Sequence, residues 1–581
     1  MVDTILLNGK IVTVDHAFRI AQAVAIQGGR FAALGANEEV RRLATPEARV
    51  IDLVGRTVLP GLVDGHAHMD REGLKYLQAT LAGARSIGQI QAIIAREVRH
   101  TRPGEWIVTM PIGDPPHYWD VPEILEEKRF PTRWDLDQVA PNNPVYIRAI
   151  WGFWRHSTPL VSIANSLALR LAGITRDTQP PCEGIEIEKD PSTGELTGVF
   201  REYGFVPTVE LSLMAAAPRF THAQRVAALR DSIRRYHAAG TTSVYEEHGA
   251  APELVRVYKE VWAGGELSMR THLVIGPDWG GATGASFETL LRDWAAFASG
   301  AGFGDEWLRI GGVVFYEDPT PQIEVLKRAM PYTGWAGYSY GGALAPDQIR
   351  EAIWAAARHA IRVVTLPSPQ FLDVYAEVNR EIPIADRRWV IGHVSTLTPR
   401  EIEELARLGV VLTLHTNRYL WKEGQKLLDR VGPAGAQSIV PLKSLVEAGV
   451  PFVLATDNAP VSLFYPLWQV VARRDRTSGQ VIAPEQRLSR EDALRAATIW
   501  GAYLTFEERV KGSIEVGKYA DLIVLDRDYL TVPEDEIKEI EPVLTMVGGR
   551  IVYDRGSLGS PAPLEGARPH EPLARGRARP G

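Results

Sequence analysis

The sequence predicts an α/β protein organised around a parallel (β/α)8 barrel. Three observations carry that prediction. From about residue 221 to 457, short apolar runs alternate with helical patterns, the signature of a parallel α/β domain. Several of those runs end in His, Asp or Glu, and barrel chemistry sits at the C-terminal ends of the strands. Both chain ends are instead rich in short β-type runs broken by Asn-Gly and Gly-Gly turns.

Taken in order, residues 4–7, 10–14, 23–27, 31–34 and 49–53 read as short strands. Residues 57–63 read as one apolar strand running into Asp-Gly-His-Ala-His. Residues two apart on a strand share a face, so His66 and His68 can grip one metal ion. A helix is expected over 86–100 and another over 221–239. The run TTSVYEE then ends at Glu246 and Glu247. Further strands are expected over 269–275, 307–316, 361–366, 389–393 and 451–456, with helices over 346–360 and 399–408. His393 and Asp457 close two of these strands, and His415 ends the run VVLTLHTN.

Length and composition bound the rest. At 581 residues the chain exceeds one ordinary domain, and 45% apolar with 23% charged residues is typical of soluble globular protein. A formal charge of −7 without a basic stripe argues against nucleic-acid binding. The single cysteine, Cys182, excludes an internal disulfide and leaves His and carboxylates as metal donors. No apolar run reaches transmembrane length, and MVDTILLNGKIVTVD lacks a secretory-signal pattern. The expectation is a cytoplasmic protein with a small-molecule partner and no nucleic-acid or membrane partner; a homodimer is compatible with it. Residues 557–581, rich in Pro, Arg and Gly, are expected to be a disordered tail. No phosphate loop, thiol nucleophile motif or Gly-x-Ser-x-Gly elbow stands out.

The stretch LPGLVDGHAHMD, residues 59–70, resembles the first barrel strand of the amidohydrolase superfamily of metal-dependent hydrolases. Gly517, Lys518, Ala520 and Asp521 match that superfamily's C-terminal signature. Asn165, Ser166, Ala168 and Leu169, with Thr197, Gly198, Val199, Arg201 and Glu202, resemble amidohydrolase family 3, the N-substituted formamide deformylase-like branch. The resemblance covers nearly the whole chain except the tail. It implies a composite β-sandwich from residues 1–58 and 505–556, flanking a metal-dependent barrel domain over 59–504. It also implies an α/β insertion over about 76–220.

For the site, the resemblance implies His66, His68, His393 and Asp457 as metal ligands. Asp457 is the proton shuttle, His393 is a second catalytic candidate, and Glu202 is the best extra ligand. The sequence departs from the branch at three places. Val314 stands where the branch carries a bridging lysine, Thr365 where it carries a fifth-strand histidine, and Leu160 where it carries a substrate-binding histidine. One divalent ion, Zn²⁺ by its suitability for three histidines and a carboxylate, is therefore expected rather than two. His156, His237, His248 and His359 read as surface or packing residues. Trp151, Trp154, His415 and Glu246 are candidate pocket walls, and the frequent aromatics suit an apolar or aromatic substrate.

Three functions follow. The leading one is hydrolysis of an amide-like C–N bond by metal-activated water. The second keeps the metal but cleaves, hydrates or decarboxylates an aromatic compound. The third is a non-catalytic ligand-binding relative, for which the retained His-x-His and Asp would be unnecessary.

Overall fold

The computed structural model describes residues 2–279, 283–329, 334, 335, 337, 339–366, 371–556 and 558. The expected tail over 557–581 lies outside the described residues apart from residue 558. The central sheet has eight parallel strands in sequential order: β1 (Leu62–Asp64), β2 (Thr241–Ala250), β3 (Arg270–Ile275), β4 (Leu308–Tyr316), β5 (Val363–Leu366), β6 (Val390–Gly392), β7 (Val411–Leu414) and β8 (Phe452–Leu454). Between β8 and β1 the ring is nearly closed, with the Gly65 N–H donating to the Leu454 carbonyl at 3.0 Å. Tyr245, Val274, Val314, Val364, Val390, Val411 and Val453, one from each of β2 to β8, share an apolar cluster. That layer of mostly β-branched side chains is what a parallel barrel needs inside.

The helices between strands carry their own start and stop signals. In Pro399–Leu408, Thr398 caps the N-terminus together with Glu401, proline opens the first turn, and Gly409 ends it at φ 63°. Ser86 caps Ile87–Val98 and Thr221 caps His222–Ala238. Among the described residues no helix is long and apolar enough to cross a membrane.

One expected element is divided. The run 57–63 is two strands, Thr57–Pro60 and β1, which belong to different sheets. The break has a physical cause. Pro60 has no N–H to continue a ladder, and a Cβ at Gly61 would lie 2.2 Å from the Thr242 hydroxyl. Only glycine lets the chain pass that close to β2 as it changes sheets.

Thr57–Pro60 joins a six-stranded sheet in the order Arg550–Asp554, Pro542–Val547, Leu522–Leu525, Thr57–Pro60, Lys10–Val12, Ile20–Ala21. A four-stranded sheet, Arg30–Gly35, Ala23–Gln27, Thr4–Leu7 and Arg49–Asp52, lies beside it. Leu6, Val24, Phe31, Val58, Leu522 and Met546 put both sheets into one apolar cluster. Asp521, from the C-terminal signature, ties this region to the barrel. It takes two hydrogen bonds from the buried Arg270 of β3, at 2.7 and 3.0 Å. Between β1 and β2 the chain forms another six-stranded sheet, from Ala79–Leu81 to Ile185–Lys189.

Gly65 joins β1 to His66, and a Cβ there would stand 2.8 Å from Val453 Cγ1 and 3.1 Å from the Leu454 carbonyl. Gly65→Ala is expected to cost about 1–3 kcal/mol of stability through overpacking and to lower metal content with it. Thermal denaturation with metal analysis checks this; an unchanged melting temperature would contradict the close approach.

Candidate metal centre

The strand ends bring four of the sequence-selected residues together. His66 Nε2 and His68 Nε2 face one another at 2.9 Å. Asp457 Oδ1 lies 3.0 Å from His68 Nε2 and 3.9 Å from His66 Nε2. The His393 ring centroid is 5.0 Å from that of His66 and stacks on His415 at 3.6 Å. The backbone holds these positions at some cost. His393 and Asp457 adopt φ of 57° and 52°, where a non-glycine residue is strained by about 1–3 kcal/mol. The Asp457 N–H donates to the His66 carbonyl at 3.0 Å, pinning one strained residue to the strand across the closure.

Carboxylates behind the imidazoles set their orientation. Glu247, on β2 and fully buried, pairs with His66 Nδ1 and accepts from the Thr413 hydroxyl at 2.6 Å. With Nδ1 committed to Glu247, the lone pair of His66 is left on Nε2. His68 Nδ1 has Asp70 at 3.6 Å and Glu246 at 3.9 Å. Glu246 is itself fixed by the Met69 N–H at 2.9 Å and the Tyr258 hydroxyl at 2.7 Å. Asp64 accepts from the His66 N–H and the Thr456 N–H, both at 3.1 Å, and so couples β1 to the loop after β8.

Burial shapes the charges. Burial and the neighbouring histidines His415 and His68 hold His66 well below the ordinary histidine range. Burial holds His393 well below that range too, takes His415 to about 4 and His248 to about 3. Neutral imidazole is the form that binds metal. Burial and the Arg71 charge push His68 down, but the carboxylates of Asp457 and Asp70 outweigh them and leave it raised. Burial pushes Asp457 up, yet the contacts with His68, His66 and His415 hold it well below the carboxylate range. Burial takes Glu247 and Glu246 up to about 8.

The donor chemistry fits a divalent cation. His66, His68 and Asp457 form one group able to hold an ion. Two nitrogens bound to one tetrahedral zinc stand roughly 3.3 Å apart, close to the spacing here. His393 Nδ1 and both ring nitrogens of His415 are buried without a hydrogen-bond partner among the described residues. Further donor groups are His66 with His248 and His393, His66 with Glu247 and His415, and His68 with Asp70 and Glu246. The donors lie in β2 or just beyond the ends of β1, β6, β7 and β8, with Asp70 in the turn Met69–Glu72 that follows β1.

The remaining candidates lie as follows. Glu202 is apart from every donor group among the described residues. Its carboxylate accepts from the Thr208 and Val209 N–H groups at 2.6 and 2.9 Å, at the start of the short helix Thr208–Leu211. Trp151 lines the cavity over His66, His68, His393 and Asp457, with Phe153 and His248 beside it; its volume is about 30 Å³. Trp154 is buried and donates from Nε1 to Asn458 Oδ1 at 3.2 Å. Val314 belongs to the apolar layer inside the barrel, whereas the Thr365 hydroxyl is shared with the Tyr375 hydroxyl at 3.0 Å. The Leu160 side chain is buried in the same apolar cluster as Val314.

His248 joins the cluster of donors. The sequence reads it as a packing or surface residue, but its ring nitrogen lies within 4.8 Å of donor nitrogens of His66 and His393. The helpful signal was its place at the end of β2, two residues beyond Glu246. Glu247 was visible as a strand-end acid, but its pairing with His66, 181 residues away in sequence, was not.

A parallel barrel with imidazoles and a carboxylate gathered at its strand ends defines a metal-dependent hydrolase of the barrel type. The sequence matches the amidohydrolase family over residues 49–553, and the chain belongs to that family. It is 28% identical to N-substituted formamide deformylase from Arthrobacter pascens over 578 residues, covering 96% of this chain and 99% of the relative. It is 25% identical to the putative amidohydrolase YtcJ of Bacillus subtilis (92% and 96% of the two chains). The fold is similar to an uncharacterized metal-dependent hydrolase from Pyrococcus furiosus, with a TM-score of 0.64 at 22% identity, over 91% of this chain and 100% of that one.

Metal analysis separates the two carboxylates. Asp457→Asn is expected to retain less than half the metal of the unmodified protein after dialysis, and Glu202→Gln all of it. Loss in Glu202→Gln with full retention in Asp457→Asn would reverse their roles.

Proposed function

We propose that the protein hydrolyses an amide-like C–N bond, other than a peptide bond, in a small apolar or aromatic molecule. The observation that carries this reading is Asp457. Its side chain is 17% exposed, against 0% for Glu247, 6% for Asp70 and 7% for Glu246. It is therefore the carboxylate of the cluster open to the cavity, and it touches His68 at the same time. His66, His68 and Asp457, with His393 beside them, would hold one divalent ion, and zinc suits this donor set. Such an ion supplies Lewis acidity and makes a water nucleophilic near neutral pH.

The chain's own groups do the rest. Asp457, held deprotonated by its histidine neighbours, takes a proton from the attacking water and delivers it to the leaving nitrogen. Glu247 keeps His66 turned toward the reaction. Trp151 and Phe153 wall the cavity with aromatic surface and keep bulk water from it. The formamide deformylase likeness supports the C–N preference.

Several finer points belong to the same reading. The two terminal sheets with their common core are taken as the flanking sandwich, and residues 76–220 as an insertion. The partner is a small molecule rather than nucleic acid, in keeping with the formal charge of −7. Zinc as the metal, a cytoplasmic location and a homodimeric assembly stand as proposals.

A panel of small aromatic amides and formamides, run beside aromatic acids and alkenes, tests the reading. Zinc-loaded protein is expected to turn over members of the first panel only. Asp457→Asn is expected to lose at least about 1,000-fold in kcat, at the scale of a lost proton-transfer group. Reaction of the second panel alone would make it a C–C cleaving, hydrating or decarboxylating enzyme instead.

A further inference from the structure

The cavity over His66, His68 and Asp457 measures about 30 Å³, room for little beyond a water molecule. One aromatic layer away lies a cavity of about 600 Å³, the size of a small-molecule site. Phe153 lines the smaller space, and its ring meets that of His156 at a centroid distance of 6.0 Å. His156 lines the larger one.

The larger cavity favours negative charge. Arg155, Arg201, Lys422, Lys426 and Arg476 line it against two carboxylates, Asp120 and Glu123. Glu188 holds Arg201 at 2.7 Å, and Asp120 lies 3.9 Å from Arg476. Of the lining carboxylates, Glu123 is left to face Arg155, Lys422 and Lys426. Lys422 ends the π-helix Asn417–Lys422 that follows β7, a geometry that recurs at functional sites. Its ammonium donates to the Trp154 carbonyl at 2.8 Å, and burial brings it down to about 7 despite the Asp457 charge. A neutral carbonyl does not balance that charge, whereas an arriving anion does.

His156 stands in the same wall with unmet hydrogen-bonding capacity. It is 5% exposed, and both ring nitrogens are buried without a hydrogen-bond partner among the described residues. Burial keeps the ring neutral, so it presents one N–H donor and one acceptor. It belongs to none of the metal-donor groups among the described residues. A buried donor left open costs free energy until something pairs with it.

We propose that this cavity is a second binding site and takes a small organic oxoanion. The head group lies on Lys422 and Lys426 and accepts the His156 N–H, and the apolar body lies against Val121, Phe130 and Val161. Binding there needs neither the metal nor the amide-cleaving chemistry. The oxoanion is either the charged end of the substrate, reaching past Phe153 from the metal centre, or a separate molecule.

Calorimetry on zinc-loaded full-length protein with benzenesulfonate, a weak metal ligand, tests the site. Benzenesulfonate is expected to bind at one site per chain, and its neutral analogue benzyl alcohol to show no measurable binding. Lys422→Met and Lys426→Ala should each weaken binding about 10-fold, and His156→Phe about 5-fold. Lys426 is exposed, so its replacement spares the fold and keeps the result readable if Lys422→Met is unstable. Asp457→Asn should bind the probe at least as tightly as the unmodified protein. No binding of benzenesulfonate, equal binding of benzyl alcohol, unchanged affinity in all three cavity variants, or loss in Asp457→Asn alone would overturn the proposal.

N-benzylformamide and its para-sulfonated form then identify the source of the oxoanion. If the substrate's own end fills the cavity, the sulfonated form is favoured in kcat/KM, Lys426→Ala removes the preference and benzenesulfonate competes. If a separate molecule fills it, both formamides react alike and benzenesulfonate does not compete. Either outcome sustains the site. Hydrolysis of neither formamide would count against the amide-cleaving reading and leave the binding result standing.

Discussion

His66 Nδ1 meets the carboxylate of Glu247 inside the barrel, and the rest of the site is arranged around that contact. Glu247 is fully buried and held by the Thr413 hydroxyl, so it has one direction in which to act. It leaves His66 Nε2 as the free nitrogen, aimed at His68 Nε2 and Asp457. Burial alone would favour a protonated Glu247, with its pKa near 8. A cation beside His66 shifts that balance toward the carboxylate. A bound metal, the imidazole and the acid would thus act as one coupled unit.

The strain at the strand ends makes sense in the same terms. His393 and Asp457 sit at positive φ because strand and loop geometry must deliver their side chains to one point from β6 and β8. Asp64 links β1 to the Thr456 loop, and the Asp457 N–H links that loop back to His66. Gly65 lets the two strands approach closely enough for these bonds to form. The same narrow space at Gly61 moves the chain from the terminal sheet into the barrel. Two glycines in one short stretch therefore place the two histidines.

Much of this was legible in the sequence, because the relevant signals are local. Apolar runs ending in His66, His393, His415 and Asp457 mark the C-terminal ends of strands, and a barrel brings such ends together. Helix limits followed from capping residues such as Thr398 and Gly409. What stayed hidden depends on contacts between distant segments. His248 looks like any strand-end histidine until β2 is placed beside β1. Glu202 sits in a matching motif, but only the fold shows its carboxylate engaged with the Thr208 and Val209 amides. The residues 57–63 read as one strand because hydrophobicity does not register a sheet change at Pro60 and Gly61. Position 365 lies on a strand, where a slip of one residue moves a side chain to the other face.

His66, His68 and Asp457 are proposed to share one ion, with Glu247 behind His66. Anomalous diffraction at the zinc edge from crystals grown with zinc tests it most directly. The account predicts one strong peak within ligand distance of His66 Nε2, His68 Nε2 and Asp457, with the Glu247 carboxylate still on His66 Nδ1. A peak bound by Glu247 in place of Asp457, or seated away from these three residues, would contradict it.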